Sequence, residues 1–159
     1  MTHLADIALP NVGLPLSNAS HPMFQTQPTV LLISDTPHVV RALDNVCDFL
    51  GIGIEIVSSA EAIDGTLSRE RPMAVIAELE GAGQDGCHVM MRVADHDPTL
   101  PVLLLTGHDP AMLGAAEAVE ELWQLSSVRK VPELPDAGQL LDFLFGAGRR
   151  GTCISMMPV

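Results

Sequence analysis

The stretch PMAVIAELEGAGQDG, residues 72–86, decides how the chain reads. Ala74 to Ala77 form a short apolar run that ends at a carboxylate, Glu78, and a Gly-rich loop then leads to Asp85 and Gly86. An apolar run of that length between turn residues reads as a strand buried on both faces. In open α/β sheets, groups at the carboxyl ends of strands face the crevice where binding or chemistry takes place. Glu78 either returns to water or serves that crevice, and the other strand ends decide between the two.

Working outward, Thr29 to Ile33 (TVLLI) is a second buried strand, and Ser34-Asp35-Thr36-Pro37 offers a cap followed by Pro at a first helical turn. Val39, Val40, Leu43, Val46, Cys47 and Leu50 then recur at helical spacing up to Gly51. Further strands are expected at Ile54–Val57, Pro101–Leu105 and Ser126–Val128, the last ending in Arg129-Lys130. Helices are expected from Ser59 to Arg69, from Gln84 to His96, from Asp109-Pro110 through Trp123, and from Pro135-Asp136 until Gly146, Gly148 and Gly151 close the last one. The alternation is βα repeated five times. It implies an α/β fold, a doubly wound five-stranded parallel sheet of flavodoxin-like topology with helices on both faces.

Composition bounds the function. The 159 residues suit one domain with extra length, divided here as an arm at 1–27, a domain at 28–148 and a tail at 149–159. The Pro- and Asn-containing arm shows no sustained period, although Leu4, Ile7, Leu9, Val12, Leu14 and Leu16 are available for docking. Apolar residues make up 47% and aromatic ones only 3%, so the core is aliphatic. A formal charge of −12 argues against nucleic acid or an anionic membrane as direct partner. Three cysteines without framework spacing, no secretory leader pattern and no apolar stretch near the roughly 18 residues of a membrane span point to the cytoplasm.

The strand ends supply Ser34 and Asp35, Glu78, Thr106 and Lys130. In a right-handed doubly wound sheet these are expected to converge. Carboxylates hold a hard cation, while hydroxyl and ammonium groups stabilise phosphoryl oxygens. With LLISDTP, VIAELEGAGQDG, PVLLLTGH and VRK in this order, the chain resembles the receiver domain of two-component response regulators over about Thr29 to Phe145.

The resemblance implies a phosphoacceptor position at Glu78, an acidic pocket of Ser34, Asp35 and Glu78, and a switch made by Thr106, Lys130 and Ser127. The sequence departs from the family's pattern at several of these positions. Glu78 stands for an aspartate, Ser34 for one acid of a pair, Val131 for the Pro after the lysine, Ser127 for an aromatic, and Ala82 for a loop Pro; Asp85 and Gly86 match. The longer Glu side chain sets its carboxylate about 1.5 Å further out, and placement errors of about 1 Å can cost a hundredfold in rate. It is also expected to let Glu78 reach Lys130 directly. Asp35 and Glu78 remain as a weak Mg²⁺ pair, with no other cofactor implied.

The expected function is therefore a stand-alone atypical receiver, not an enzyme, that acts as a signalling or regulatory interaction module and is not switched by conventional aspartyl phosphorylation. Its partners would be a sensor kinase, another regulator or effector, or a second copy bound through the last two helices and fifth strand. Leu113, Val119, Trp123, Phe143 and Phe145 are the interface candidates, since Phe143 and Phe145 lie two apart and point to different sides of a helix. One alternative keeps phosphorylation by a histidine kinase, on Glu78 or a nearby carboxylate such as Glu80. Another is a flavodoxin-like cofactor binder or small enzyme. His38 and His108, with Asp35 and Glu78, are weighed as transition-metal ligands, against a lack of short His spacing; His88 and His96 read as solvent-facing.

Overall fold

The computed structural model describes residues 27–81 and 84–156, with the side chains of Ala60, 80–85 and 150 onward outside that description. The arm before Gln27, the end of the tail, the loop position Ala82 and the Glu80 side chain thus lie outside the described residues. Five parallel strands form one sheet: β1 (Thr29–Ile33), β2 (Gly53–Val57), β3 (Ala74–Glu78), β4 (Val102–Leu105) and β5 (Val128–Val131). Their spatial order is β2-β1-β3-β4-β5, so the order reverses between β1 and β3. The helices are α1 (Pro37–Leu50), α2 (Ile63–Glu70), α3 (Gly86–His96), α4 (Pro110–Leu122) and α5 (Ala137–Met156). A single 3-10 turn, Ala60–Ala62, leads into α2, and Glu80–Gly81 pairs antiparallel with Gln84–Asp85 ahead of α3.

Local chemistry explains most of the boundaries. Pro37 occupies the first turn of α1, and Gly51 ends it in the left-handed region at φ 71°, where its N–H meets the last carbonyls. Asp109 caps α4 by accepting from the Ala111 N–H, with Pro110 in the first turn. Besides small shifts, such as α3 starting at Gly86 instead of Gln84 and α2 at Ile63 after a 3-10 turn, two boundaries differ more widely from the sequence expectation. The glycines at 146, 148 and 151 lie inside α5, which runs on to Met156. Leu140, Phe143, Leu144 and Ala147 bury one stripe of this helix, and such packing outweighs the cost of glycine in a helix, about 1 kcal/mol each. The second difference concerns β5, which covers Val128–Val131 instead of Ser126–Val128.

The sheet separates two apolar cores. Leu31, Ile33, Val75, Ala77, Val102 and Leu104 face α2, α3 and α4. Val30, Leu32, Ala74, Ile76, Leu103 and Leu105 face α1 and α5. Strands buried on both faces account for the continuous apolar runs of the sequence. Cys47 belongs to the second core, and burial, with Asp44 nearby, pushes its thiol up to about 11, so it packs as a small neutral apolar group.

The turn that returns the chain from Glu78 to α3 is tight. The Gly86 N–H donates to the Leu79 carbonyl at 3.1 Å, and a Cβ on Gly86 would lie 2.5 Å from Leu79 Cα. That neighbour is backbone, which cannot swing aside. Gly86→Ala is therefore expected to destabilise the fold by about 1–3 kcal/mol, read as a lower denaturant midpoint at unchanged slope; an unchanged midpoint would show that the turn relaxes freely.

Candidate functional site

Glu78 is the last residue of β3 and sits beside the point where strand order reverses. One carboxylate oxygen, Oε2, accepts from Ser34 Oγ at 3.0 Å and from Thr36 Oγ1 at 2.9 Å. Ser34 Oγ in turn accepts from the Thr36 N–H at 3.0 Å. Three residues from the ends of β1 and β3 and the entry of α1 thus close a small network. Both hydroxyl protons go to the same oxygen, and hydrogen bonds to an ionised acceptor are the stronger kind. Ser34 is 4% exposed, so its hydroxyl has little water to compete for it.

Thr36 is the member that sequence reasoning missed. It stands at the N-cap of α1, yet its side chain makes no cap bond and turns to Glu78. The available signal was its position: an N-cap hydroxyl directly after a strand end adjoins the neighbouring strand's terminal residue. Asp35, expected in the same pocket, is exposed to solvent and is not among the described residues lining the Glu78 cavity.

A cavity of about 210 Å³ lies at Glu78, lined also by His38, Val39, Leu105, Gly107, Pro132, Glu133 and Leu134. Lys130 does not reach it. Residues level with one another in a parallel sheet present their side chains to the same face, and the next residue presents to the other. Glu78 is level with Leu105, and Leu105 with Val131. Lys130 is level with Leu104, one residue out of phase. Val131 therefore shares the α1/α5 face with Glu78, while Lys130 projects to the α4 face, where its Nζ pairs with the Glu120 carboxylate. The expected Glu78–Lys130 contact is corrected on this ground.

Thr106 follows Lys130 to the same side. Both line a second cavity of about 320 Å³ with Gly107, His108, Asp109, Pro110, Leu113 and Pro132. The Thr106 hydroxyl, 4% exposed, lies 3.2 Å from both the Gly107 and the Val131 carbonyl oxygens, so its proton is held by backbone. Gly107 and Pro132 border both cavities and so stand between them. Of the strand-end groups expected to converge, Ser34 bonds Glu78, whereas Thr106 and Lys130 line the adjoining cavity.

Ser127 is further away. It precedes β5 at the amino edge of the sheet, where its carbonyl accepts from the Val102 N–H, so it does not adjoin Thr106. His38 borders the Glu78 cavity, and His108 lies 3.8 Å from Glu133 across an exposed surface. Among the described residues no group of three or more His, Cys, Asp or Glu side chains is placed to hold a metal ion, and Asp35 with Glu78 makes only two. Of the interface candidates, Phe143 is buried at 7% exposure and cannot contribute, because it faces the α1/α5 core at helical spacing from Leu140 and Leu144. Leu113 and Val119 are half-buried, whereas Trp123 and Phe145 are exposed; Leu122, not among the interface candidates, is an exposed large apolar residue of α4 at 79%.

This geometry separates two side chains that would act alike in a converged site. Thr36→Val is expected to move the ¹³C resonance of the Glu78 carboxyl and to cost about 1 kcal/mol, whereas Lys130→Met leaves that resonance in place. A displaced Glu78 signal in the Lys130 variant would restore the direct pair.

Comparison with known proteins agrees with the architecture. A family model described as flagellar regulatory protein FleQ matches residues 29–137. The C4-dicarboxylate transport transcriptional regulatory protein DctD of Pseudomonas aeruginosa is 30% identical over 122 residues, 70% of this chain and 26% of that protein. Its counterpart in Rhizobium meliloti is 30% identical over 95 residues, 59% of this chain and 20% of that protein. The chain thus spans about a quarter or less of the curated relatives it matches. Among solved structures, the signal receiver domain of an HD domain-containing protein from Pseudomonas fluorescens superposes with a TM-score of 0.63 at 20% identity, covering 79% of this chain and 97% of that one. A response regulator receiver domain protein from Clostridium thermocellum gives 0.63 at 16% identity, covering 80% and 98%. With the β2-β1-β3-β4-β5 sheet, the paired cores and the strand-end residues, these matches place the chain in the FleQ family, as a receiver domain of the response regulators of two-component signalling.

Proposed function

We propose that this receiver domain works as a regulatory protein-interaction module held in one conformation, and that conventional phosphotransfer to the end of β3 does not switch it. The observation that carries this reading is the engagement of Glu78 Oε2 by Ser34 and Thr36, on the opposite face of the sheet from Lys130. A phosphoryl group attached to Glu78 would need cations near its oxygens. Among the described residues the cavity there is bordered by Glu133 and His38 and by no Lys or Arg. Thr106 and Lys130, which would stabilise the transferred group, are committed to backbone carbonyls and to Glu120. Among the described residues a Mg²⁺ ion would find no cluster of three carboxylates here, only Asp35 and Glu78, where such ions are usually held by several oxygens.

The partner in this reading is a protein: a sensor kinase, another regulator or effector, or a second copy of the chain across α4, β5 and α5, where Leu122, Trp123 and Phe145 are exposed. The charge of −12 disfavours nucleic acid and anionic membrane surfaces, and no helix among the described residues is long and apolar enough to cross a membrane. Both features fit a cytoplasmic site of action. The DctD relatives are named as transcriptional regulators, and the present chain would correspond to their regulatory portion only.

Incubation with acetyl phosphate and Mg²⁺, or with a partner histidine kinase, followed by intact-mass measurement is expected to leave the mass unchanged. A phosphate adduct would overturn the reading. Its loss in Glu78→Gln would assign the acceptor to Glu78, and its persistence there to another carboxylate such as Glu80.

A further inference from the structure

Helix α4 is held to the sheet differently from its neighbours. α3 buries Gly86, Val89, Met90, Val93 and Ala94, whereas α4 buries only Ala116. Met112 and Val119 cover the core in part, and Ala111, Gly114, Ala115 and Ala118 lie open to solvent. An element with few buried apolar contacts opens locally at low free energy. The last turns of α4 carry a compensating contact, the pair between Glu120 and Lys130 of β5. With side chains 21% and 26% exposed, it is the most covered ion pair among the described residues; the Arg69, Arg92 and His108 pairs are all far more exposed. Exposed pairs contribute little, but a covered pair that loses one member leaves the other charge poorly solvated.

The surroundings make this contact an adjustable one. Lys130 also lines the cavity that holds Thr106 and Leu113, so open space adjoins it. Just beyond Glu120 the helix ends at Leu122 and Trp123, with the Trp123 N–H donating to the Val119 carbonyl at 2.9 Å and Gln124 turning the chain at φ 58°. Leu125 then returns to the core, its N–H donating to the Glu120 carbonyl at 3.0 Å.

We propose that the Glu120–Lys130 pair is a latch: closed, it fixes the second half of α4 against β5; open, it releases that half and the Leu122–Trp123 corner while the sheet stays intact. A partner that competes for Glu120 or Lys130 would thereby change the shape of the α4 surface.

Trp123 is the only tryptophan of the chain and reports on this corner. Hydrogen exchange is measured on the wild type, Glu120→Gln, Lys130→Met, the double variant, and the charge-reversed pair Glu120→Lys with Lys130→Glu. Each single variant is expected to speed exchange over residues 113–122 by roughly 5- to 30-fold, the factor that one or two kcal/mol produces, and to shift Trp123 emission to the red. Amides of β1, β3 and β4 should keep their rates, the double variant should exchange no faster than either single one, and the charge-reversed pair should recover most of the protection. Unchanged exchange in α4, or loss of protection spread evenly over the sheet, would overturn the latch.

Discussion

Everything at the carboxyl edge follows from the phase of β5 relative to β3. In a parallel sheet a residue's face is settled by its register, and one step along the strand exchanges one face for the other. Pairing Leu104 with Lys130 and Leu105 with Val131 sends the lysine toward α4 and leaves the face of Glu78 with an aliphatic side chain. On that side the Lys130 ammonium is engaged by the Glu120 carboxylate. The two cavities at this edge, one at Glu78 and one at Thr106 and Lys130, are the spatial expression of that phase.

Once the lysine is gone from its side, Glu78 needs other partners. A carboxylate at the end of a buried strand is costly unless hydrogen-bonded. Ser34 and Thr36 supply two donors from the start of the β1–α1 connection. Serine in place of an acid removes a metal ligand and supplies a proton, so the same substitution that weakens a cation site strengthens the carboxylate's local network. The added methylene of Glu helps its carboxylate reach across to that connection. These changes are mutually consistent and describe an edge organised around hydrogen bonds within the chain.

Much of this was legible in the sequence. The continuous apolar runs at TVLLI, AVIA and PVLLL announced doubly buried strands, and Pro37, Gly51 and Asp109-Pro110 marked helix ends through their own backbone chemistry. Glu78 and Ser34 could be identified as strand-end groups from position alone. What failed was the fifth strand. SSVRKV is short and four of its six residues are polar, so no apolar run marks where the strand begins and ends. Phe143 and Phe145 were correctly expected to point to different sides, but which one is buried depends on the stripe Leu140, Leu144 and Ala147, which continues past glycines that looked like a stop. Thr36 was hidden by its more familiar role as a helix cap.

The direct measurement is a titration of ¹⁵N-labelled protein with Mg²⁺ and beryllofluoride, a stable mimic of a phosphoryl group, followed by amide spectra. If Ser34 and Thr36 hold Glu78 and Lys130 is committed to Glu120 on the far face, the amides of Thr36, Thr106, Gly107 and Lys130 stay in place at saturating reagent. Saturable shifts at Gly107 and Lys130 together would contradict the account, because they would require the lysine and the β3 carboxylate to share one ligand.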